Sequence, residues 1–265
     1  MKCAFVLLMA LTSALAAQTT ETGFLNRSVT VDGSEFRYVV YVPRDFNSAT
    51  AWPIIVALHG GGDYGDDGLR QTDGGVAKAI RLHPERFPAI VVFPQSHADH
   101  TPGWQRKGGE AALAAIDRTM SEFHGDAARV YLTGLSAGGN GVWYLASHHP
   151  QRFAALLVVS GFAGQFRGKQ SGVEYPPVFP DAADPYAAVA KSVESLPIWI
   201  FHNDGDPNVS VDESRRMFAA LKAAGANVRY DEFHAAQHDA WTEAYARADV
   251  WTWLLQQKRA IIDGK

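Results

Sequence analysis

The run Val130-Tyr131-Leu132-Thr133-Gly134-Leu135-Ser136-Ala137-Gly138-Gly139 limits what this chain can fold into more than any other stretch. A short apolar strand pattern ends abruptly in Gly-x-Ser-x-Gly and passes at once into a helical pattern, Val142, Leu145 and Ala146, stopped by His149-Pro150. A serine in such a strand-to-helix turn is forced into a strained backbone conformation. Small residues two before and two after it let strand and helix approach without a Cβ clash, and the hydroxyl stands clear of the sheet edge. The pentapeptide alone is common; its setting carries the weight. A further apolar strand, Phe153-Ala154-Ala155-Leu156-Leu157-Val158-Val159, follows the helix and completes a βαβ unit.

The rest of the chain extends that unit. Ser28–Val31 and Glu35–Val42, split by Asp32-Gly33, alternate as an antiparallel hairpin that should form one edge of the sheet. Ile54-Ile55-Val56-Ala57-Leu58 and Ala89-Ile90-Val91-Val92-Phe93 are unbroken apolar runs, as strands buried on both faces require. Helices are predicted over Val76–Leu82 and Glu110–Phe123. Residues 160–180 break the pattern and read as a long loop or small lid. Order returns with a helix opened by Asp184-Pro185, a strand Ile198–Phe201, a helix Asp212–Ala224, a strand Val228–Phe233 and a closing helix Asp249–Lys258. Strands alternating with helices imply an α/β fold with a mostly parallel central sheet, an antiparallel N-terminal hairpin edge and helices on both faces.

Composition narrows the function classes. The formal charge of −4 shows no basic face, so nucleic acid is not an expected partner. Met1-Lys2, the apolar Ala4–Leu15 and Ala14-Leu15-Ala16 read as a signal peptide over residues 1–16, followed by an N-terminal extension over 17–27 and one domain over 28–265. That reading places the protein in the periplasm or outside the cell. The apolar run is shorter than the roughly 20 residues a bilayer span needs, and no membrane span is expected. Cys3 is the only cysteine and falls in the segment to be removed, which excludes a cysteine nucleophile and a disulfide framework from the mature chain. With 47% hydrophobic residues a substantial core is available, and the chain is expected to act as a monomer or weak homo-oligomer.

Ligands of such sheets bind at the carboxyl ends of the strands. Three strand ends carry reactive groups: Ser136, the run His202-Asn203-Asp204-Gly205-Asp206-Pro207, and the run His234-Ala235-Ala236-Gln237-His238-Asp239. Serine, acid and histidine in that chain order match an α/β-hydrolase triad. Serine needs a base, and imidazole, with an ordinary pKa near 6.5, can take the proton and return it to a leaving group. His238, five residues beyond the strand in a flexible loop, is favoured as base over His234. Asp206 is favoured over Asp204 as the acid that orients it. The oxyanion of a tetrahedral intermediate calls for two backbone N–H donors, assigned to Ala137 and, within His59-Gly60-Gly61-Gly62, to Gly61. That glycine run lacks the spacing of a phosphate cradle. His97, Asp99 and His100, and the pair His148-His149, lack metal-ligand spacing, so neither metal nor cofactor is expected. Trp104 falls on the loop after the fourth strand and is expected to wall the acyl or alcohol pocket, with packing under the lid as the competing reading.

With these residues in place the chain resembles the secreted α/β-hydrolases of the predicted-peptidase, dienelactone-hydrolase-like and feruloyl-esterase-type carboxylesterase family. The matching blocks are Leu58–Gly62 with Gly65-Asp66-Asp67, Phe87-Pro88 to Pro94-Gln95, Tyr131–Gly139 with Gly141 and Trp143, Phe201-His202 to Asp206-Pro207, and Gly225 to His238. The resemblance implies a triad at Ser136, Asp206 and His238 and oxyanion donors at Gly61 and Ala137. It implies hydrolysis of a small-molecule or polysaccharide-linked ester, acyl or phenolic, more firmly than cleavage of a peptide; a serine oligopeptidase and a non-catalytic carbohydrate-binding domain are the alternatives. Relatives commonly carry His-Gly before the acid loop, whereas this chain carries His202-Asn203.

Overall fold

The computed structural model describes residues 21–97, 103–169 and 172–260. The expected signal peptide, Cys3, Asp99 and His100 lie outside them. In chain order the elements are β1 (Gly23–Val31), β2 (Ser34–Val42), β3 (Trp52–Leu58), α1 (Gly75–Leu82), β4 (Ile90–Pro94), α2 (Lys107–Glu122), β5 (Gly125–Leu135) and α3 (Ala137–His148). They continue with β6 (Ala155–Val159), β7 (Phe166–Arg167), β8 (Glu174–Tyr175), α4 (Pro185–Val193), β9 (Ile198–Asn203), α5 (Asp212–Ala223), β10 (Val228–Phe233), α6 (Ala240–Ala246) and α7 (Ala248–Gln256).

Eight strands form one sheet in the order β1-β2-β4-β3-β5-β6-β9-β10. The first two are antiparallel to their neighbours and all the others run parallel. Period-two alternation divides the apolar runs between two cores. Ile54, Val56 and Leu58 face a layer built from α2, α3, α4 and α5, through Ile116, Val142, Val189 and Leu221. Ile55 and Ala57 face the opposite layer of α1, α6 and α7, through Ile80, Tyr245 and Trp251. This is the α/β-hydrolase fold. The centre of the sheet is unbroken in apolar character because each central strand lies between two helical layers.

Three features depart from the sequence reading. β1 begins at Gly23 rather than Ser28, so part of the expected N-terminal extension is sheet, paired from Gly23↔Val42 to Val31↔Ser34. Residues 160–180 hold the two-stranded β7–β8 ribbon. A short helix, α6, follows the His238 loop. Helix signals held better: Asp184 caps α4, its Oδ1 accepting from the N–H groups of Tyr186 at 2.9 Å and Ala187 at 3.2 Å.

The crossing of β5, β3 and α3 has no room for methyl groups. A Cβ on Gly134 would lie 2.3 Å from the Gly138 carbonyl oxygen, and one on Gly138 would lie 2.1 Å from the Leu58 carbonyl oxygen. Gly134→Ala is expected to lower stability by about 3 kcal/mol, the upper part of the usual overpacking range, since the opposing atoms are backbone. Urea denaturation of the two proteins measures it; an unchanged midpoint would refute the steric account.

Candidate active site

Ser136 joins β5 to α3 with φ 54° and ψ −118°, a region that non-glycine residues avoid. The turn is held from both sides. The Ser136 N–H donates to the Val159 carbonyl at 2.9 Å, and the Asn140 N–H donates to the Ser136 carbonyl at 3.1 Å. The hydroxyl is thereby placed at the amino end of α3, where the helix dipole favours negative charge.

His238 reaches that hydroxyl from the loop after β10. Its Nε2 lies 2.9 Å from Ser136 Oγ, and its Nδ1–H donates to Asp206 Oδ2 at 2.6 Å. The Asp206 side chain is fully buried and the His238 side chain 15% exposed. Burial alone would raise the Asp206 carboxyl. Hydrogen bonds from His202 and His238, the His238 charge and the Val209 N–H outweigh it and hold Asp206 well below the usual carboxylate range. Its other oxygen, Oδ1, accepts from the N–H groups of Asn208 at 2.9 Å and Val209 at 3.0 Å. An ionised carboxylate fixed in this way directs the proton of His238 to Nδ1 and leaves the Nε2 lone pair for the serine hydroxyl.

Two neighbours of this relay have no role assigned from the sequence. Buried His202 stands behind Asp206, with Nε2 3.4 Å from Oδ2, and Ser214 Oγ lies 2.7 Å from its Nδ1. Asn203 is 2% exposed. Its Nδ2 donates to the Gln237 carbonyl at 2.8 Å and to Asp239 Oδ1 at 3.2 Å, bracketing His238 in the chain. The competing pair sits apart: His234, fully exposed, donates from Nδ1 to Asp204 Oδ2 at 2.6 Å and ties the two loops together at the surface.

Ser136, His238, Gly61 and Ala137 line one cavity of about 470 Å³. A Cβ on Gly61 would lie 4.0 Å from the Ala137 Cβ, so the two residues expected to supply the oxyanion donors are neighbours in the cavity wall. The far wall is aromatic. Phe162 stacks on Phe166 at 4.2 Å between ring centroids, and the Tyr64 and Tyr175 hydroxyls are 3.0 Å apart. Burial pushes both phenols above their ordinary pKa. β7 and β8 thus supply the pocket wall that a patternless loop could not predict.

Trp104 is not part of that wall, contrary to the sequence expectation. It is fully buried, donates from Nε1 to the His59 carbonyl at 3.2 Å, and fills the space left by Gly141, where a Cβ would come within 2.6 Å of it. It supports the glycine loop from beneath. His59 does so as well: its Nδ1–H donates to the Gly60 carbonyl at 2.7 Å, and its Nε2 accepts the Ser96 N–H at 3.0 Å.

Comparison with known proteins matches residues 102–259 to the model of the prolyl oligopeptidase family. The chain belongs to that family. It is 29% identical over 144 residues to dipeptidyl-peptidase 5 of Porphyromonas gingivalis, covering 50% of this chain and 20% of the relative. It is 30% identical over 135 residues to acetylxylan esterase A of Emericella nidulans, covering 47% of this chain and 41% of the relative. The chain thus spans less than half the length of either relative. A thermostable esterase of solved structure superposes with a TM-score of 0.74 at 27% identity, covering 89% of this chain and 63% of that one.

The two nitrogens of His59 are both engaged while the ring is neutral, and burial brings its pKa down to about 4. The folded-state value lies below the ordinary 6.5, so the unfolded chain takes up this proton first. Stability from the neutral ring is complete above pH 6.5 and is lost as pH falls toward 4, about 3 kcal/mol in all. Asp63, pushed up to about 6 by burial and then by Asp73, drives stability the opposite way. The quantity to read is therefore the difference in urea midpoint between wild type and His59→Gln, which should shrink from pH 7 to pH 4. A difference independent of pH would contradict it.

Proposed function

We propose that this protein is a serine carboxylesterase that works through an acyl-enzyme, with Ser136 as nucleophile, His238 as general base and Asp206 as the orienting acid. The observation that carries the reading is the unbroken relay Asp206–His238–Ser136, ending in a strained serine at the mouth of an aromatic-walled cavity. Ser136 Oγ attacks the ester carbonyl as His238 Nε2 takes its proton. The N–H groups of Gly61 and Ala137 receive the developing oxyanion. Collapse releases the alcohol, protonated by His238, and water then cleaves the acyl-enzyme by the same route.

The substrate class is carboxylic esters, acyl or phenolic, attached to polysaccharide. Phe162, Phe166, Tyr64 and Tyr175 suit a flat or apolar acyl group, and a relative is named for an acetylated xylan. A second reading, a serine oligopeptidase, draws on the family name and on the dipeptidyl-peptidase match. Esters and prolyl anilides sharing one acyl part separate the two: the esterase reading expects faster turnover of the ester by more than their intrinsic reactivity difference. Export from the cytoplasm is also proposed, on residues 1–16, and a mature chain starting at Ala17 is the expected result of N-terminal sequencing. In solution a monomer or weak homo-oligomer is expected by light scattering.

Ser136→Ala is expected to cut hydrolysis of 4-nitrophenyl acetate by about 10³-fold or more, and an activated phosphonate is expected to label the wild-type serine. Retained turnover in the variant, or no labelling, sinks the proposal. Asn203→Ala is expected to free the His238 loop, lowering kcat by about 10-fold or more while KM changes little. Equal losses of stability and activity, with an unaltered pH–rate profile, would reduce Asn203 to a packing residue.

A further inference from the structure

The 3₁₀ turn Gly61–Asp63 separates two cavities. Gly61 lines the aromatic one, and Asp63 lines a second of about 310 Å³ on the α1–α6 side of the elbow, walled also by Gln71, Asp73, Gly75, Trp241 and Leu135. The second cavity has no part in the chemistry set out above; its lining is mixed, with Ala57, Leu58, Val76 and Phe93 beside the polar groups.

Gln71 is 6% exposed, and neither atom of its side-chain amide has a hydrogen-bond partner among the described residues. A buried amide in that state is costly, of order 1–3 kcal/mol, and this one stands in a cavity wall. Half-buried Asp63 and exposed Asp73 add carboxylate acceptors from floor to mouth. α1 starts at the same place. Gly74 and Gly75 both line the cavity and no side chain caps the helix there, so its first N–H groups are donors for whatever enters. Trp241 contributes an indole, and its ring stands perpendicular to that of His238 at 5.1 Å between centroids.

Acceptors, donors, an amide that is both, and an aromatic wall together suit a neutral ring bearing several hydroxyls. A cation would meet the positive end of α1 with only two carboxylates in its favour, and an anion would meet the carboxylates. The position is also telling. His238 Nε2 is the atom that returns a proton to the departing alcohol oxygen as the acyl C–O bond breaks, and Trp241 links that imidazole to this cavity. We propose that the Asp63–Gln71–Asp73–Trp241 cavity is the alcohol subsite, holding the pyranose ring of a carbohydrate whose hydroxyl carries the acyl group. The proposal rests on the esterase reading of Ser136 and adds the place where the sugar part of the leaving group is held.

Two measurements test it. Turnover is compared between an O-acetylated methyl xyloside and 4-nitrophenyl acetate, which share the acyl group and differ in the alcohol. The ratio of their kcat/KM values is expected to fall about 10-fold in Gln71→Leu, the loss of one or two hydrogen bonds, and similarly in Asp73→Asn, whose exposed site keeps the test usable if the first variant does not fold. A ratio unmoved in the folded variants overturns the proposal. Binding is read separately by titrating xylobiose into the wild-type protein and following the Gln71 side-chain amide resonances. Saturable shifts support the subsite even if no ester is turned over, in which case the esterase reading alone fails. No shift with tens of millimolar sugar, or shifts caused by a peptide amine instead, overturns the subsite.

Discussion

The backbone at Ser136 is the constraint on which the site depends. A non-glycine residue at φ 54° costs of order 1–3 kcal/mol, and it persists only where the surroundings leave no alternative. Here the alternatives are removed by contact. β5 enters the turn against β6, α3 leaves it against β3, and the missing side chains of Gly134 and Gly138 allow those backbones to meet. The central sheet and the two helical layers hold those backbones in place. Burying a Leu, Ile or Phe side chain in those cores contributes roughly 1.5–3 kcal/mol, and a few such residues outweigh the local strain.

Around the strained serine the electrostatics run inward from a single ion. Asp206 is buried, which by itself opposes ionisation, yet backbone N–H groups on one oxygen and imidazole N–H on the other keep it charged. Its charge selects the His238 tautomer. His202 lies on the far side, its own orientation fixed by Ser214 and by the Val209 carbonyl. Every polar group in this chain of contacts is paired to another that is itself paired, which keeps hydrogen-bond positions narrow in a region where unpaired groups are costly. His59 follows the same logic on the opposite flank, with both ring nitrogens engaged to shape the glycine loop.

What could be read from the chain follows from the range of the forces involved. The elbow was legible because its steric requirements fall within five consecutive residues, and the buried strands because two-sided burial demands unbroken apolar runs. The order of Ser136, Asp206 and His238 followed from strand ends that alternation already located. Trp104 misled because its burial depends on Gly141, a residue on a different element that makes room for the indole. Asn203 stood out only as a departure from His-Gly, and its role stayed hidden because its partners Gln237 and Asp239 lie more than thirty positions away. The β7–β8 ribbon has two residues per strand, too few for any period to show, and α6 is too short for a clear stripe. At Gly23–Arg27 the adjacent apolar pair Phe24 and Leu25, one packed against each core, breaks the alternation that marked residues 28–31.

The turn Gly61–Asp63 stands where these constraints meet. It is too short to have a core of its own, and its shape is imposed from below by Trp104 and His59 and from the side by Gln95, whose amide donates to the Asp63 carbonyl at 3.3 Å and to Asp67 at 2.9 Å. One end faces the cavity that holds Ser136 and the other the cavity that holds Gln71 and Asp73, so the same few backbone atoms divide two compartments of different lining. An ester is itself divided that way, with an acyl part and an alcohol part on either side of the carbonyl. On the proposed esterase reading, a partition at that point sets the acyl part on one side and the alcohol part on the other. Changes to the loops that furnish either wall can then alter what is accepted while the elbow and its charge relay stay as they are.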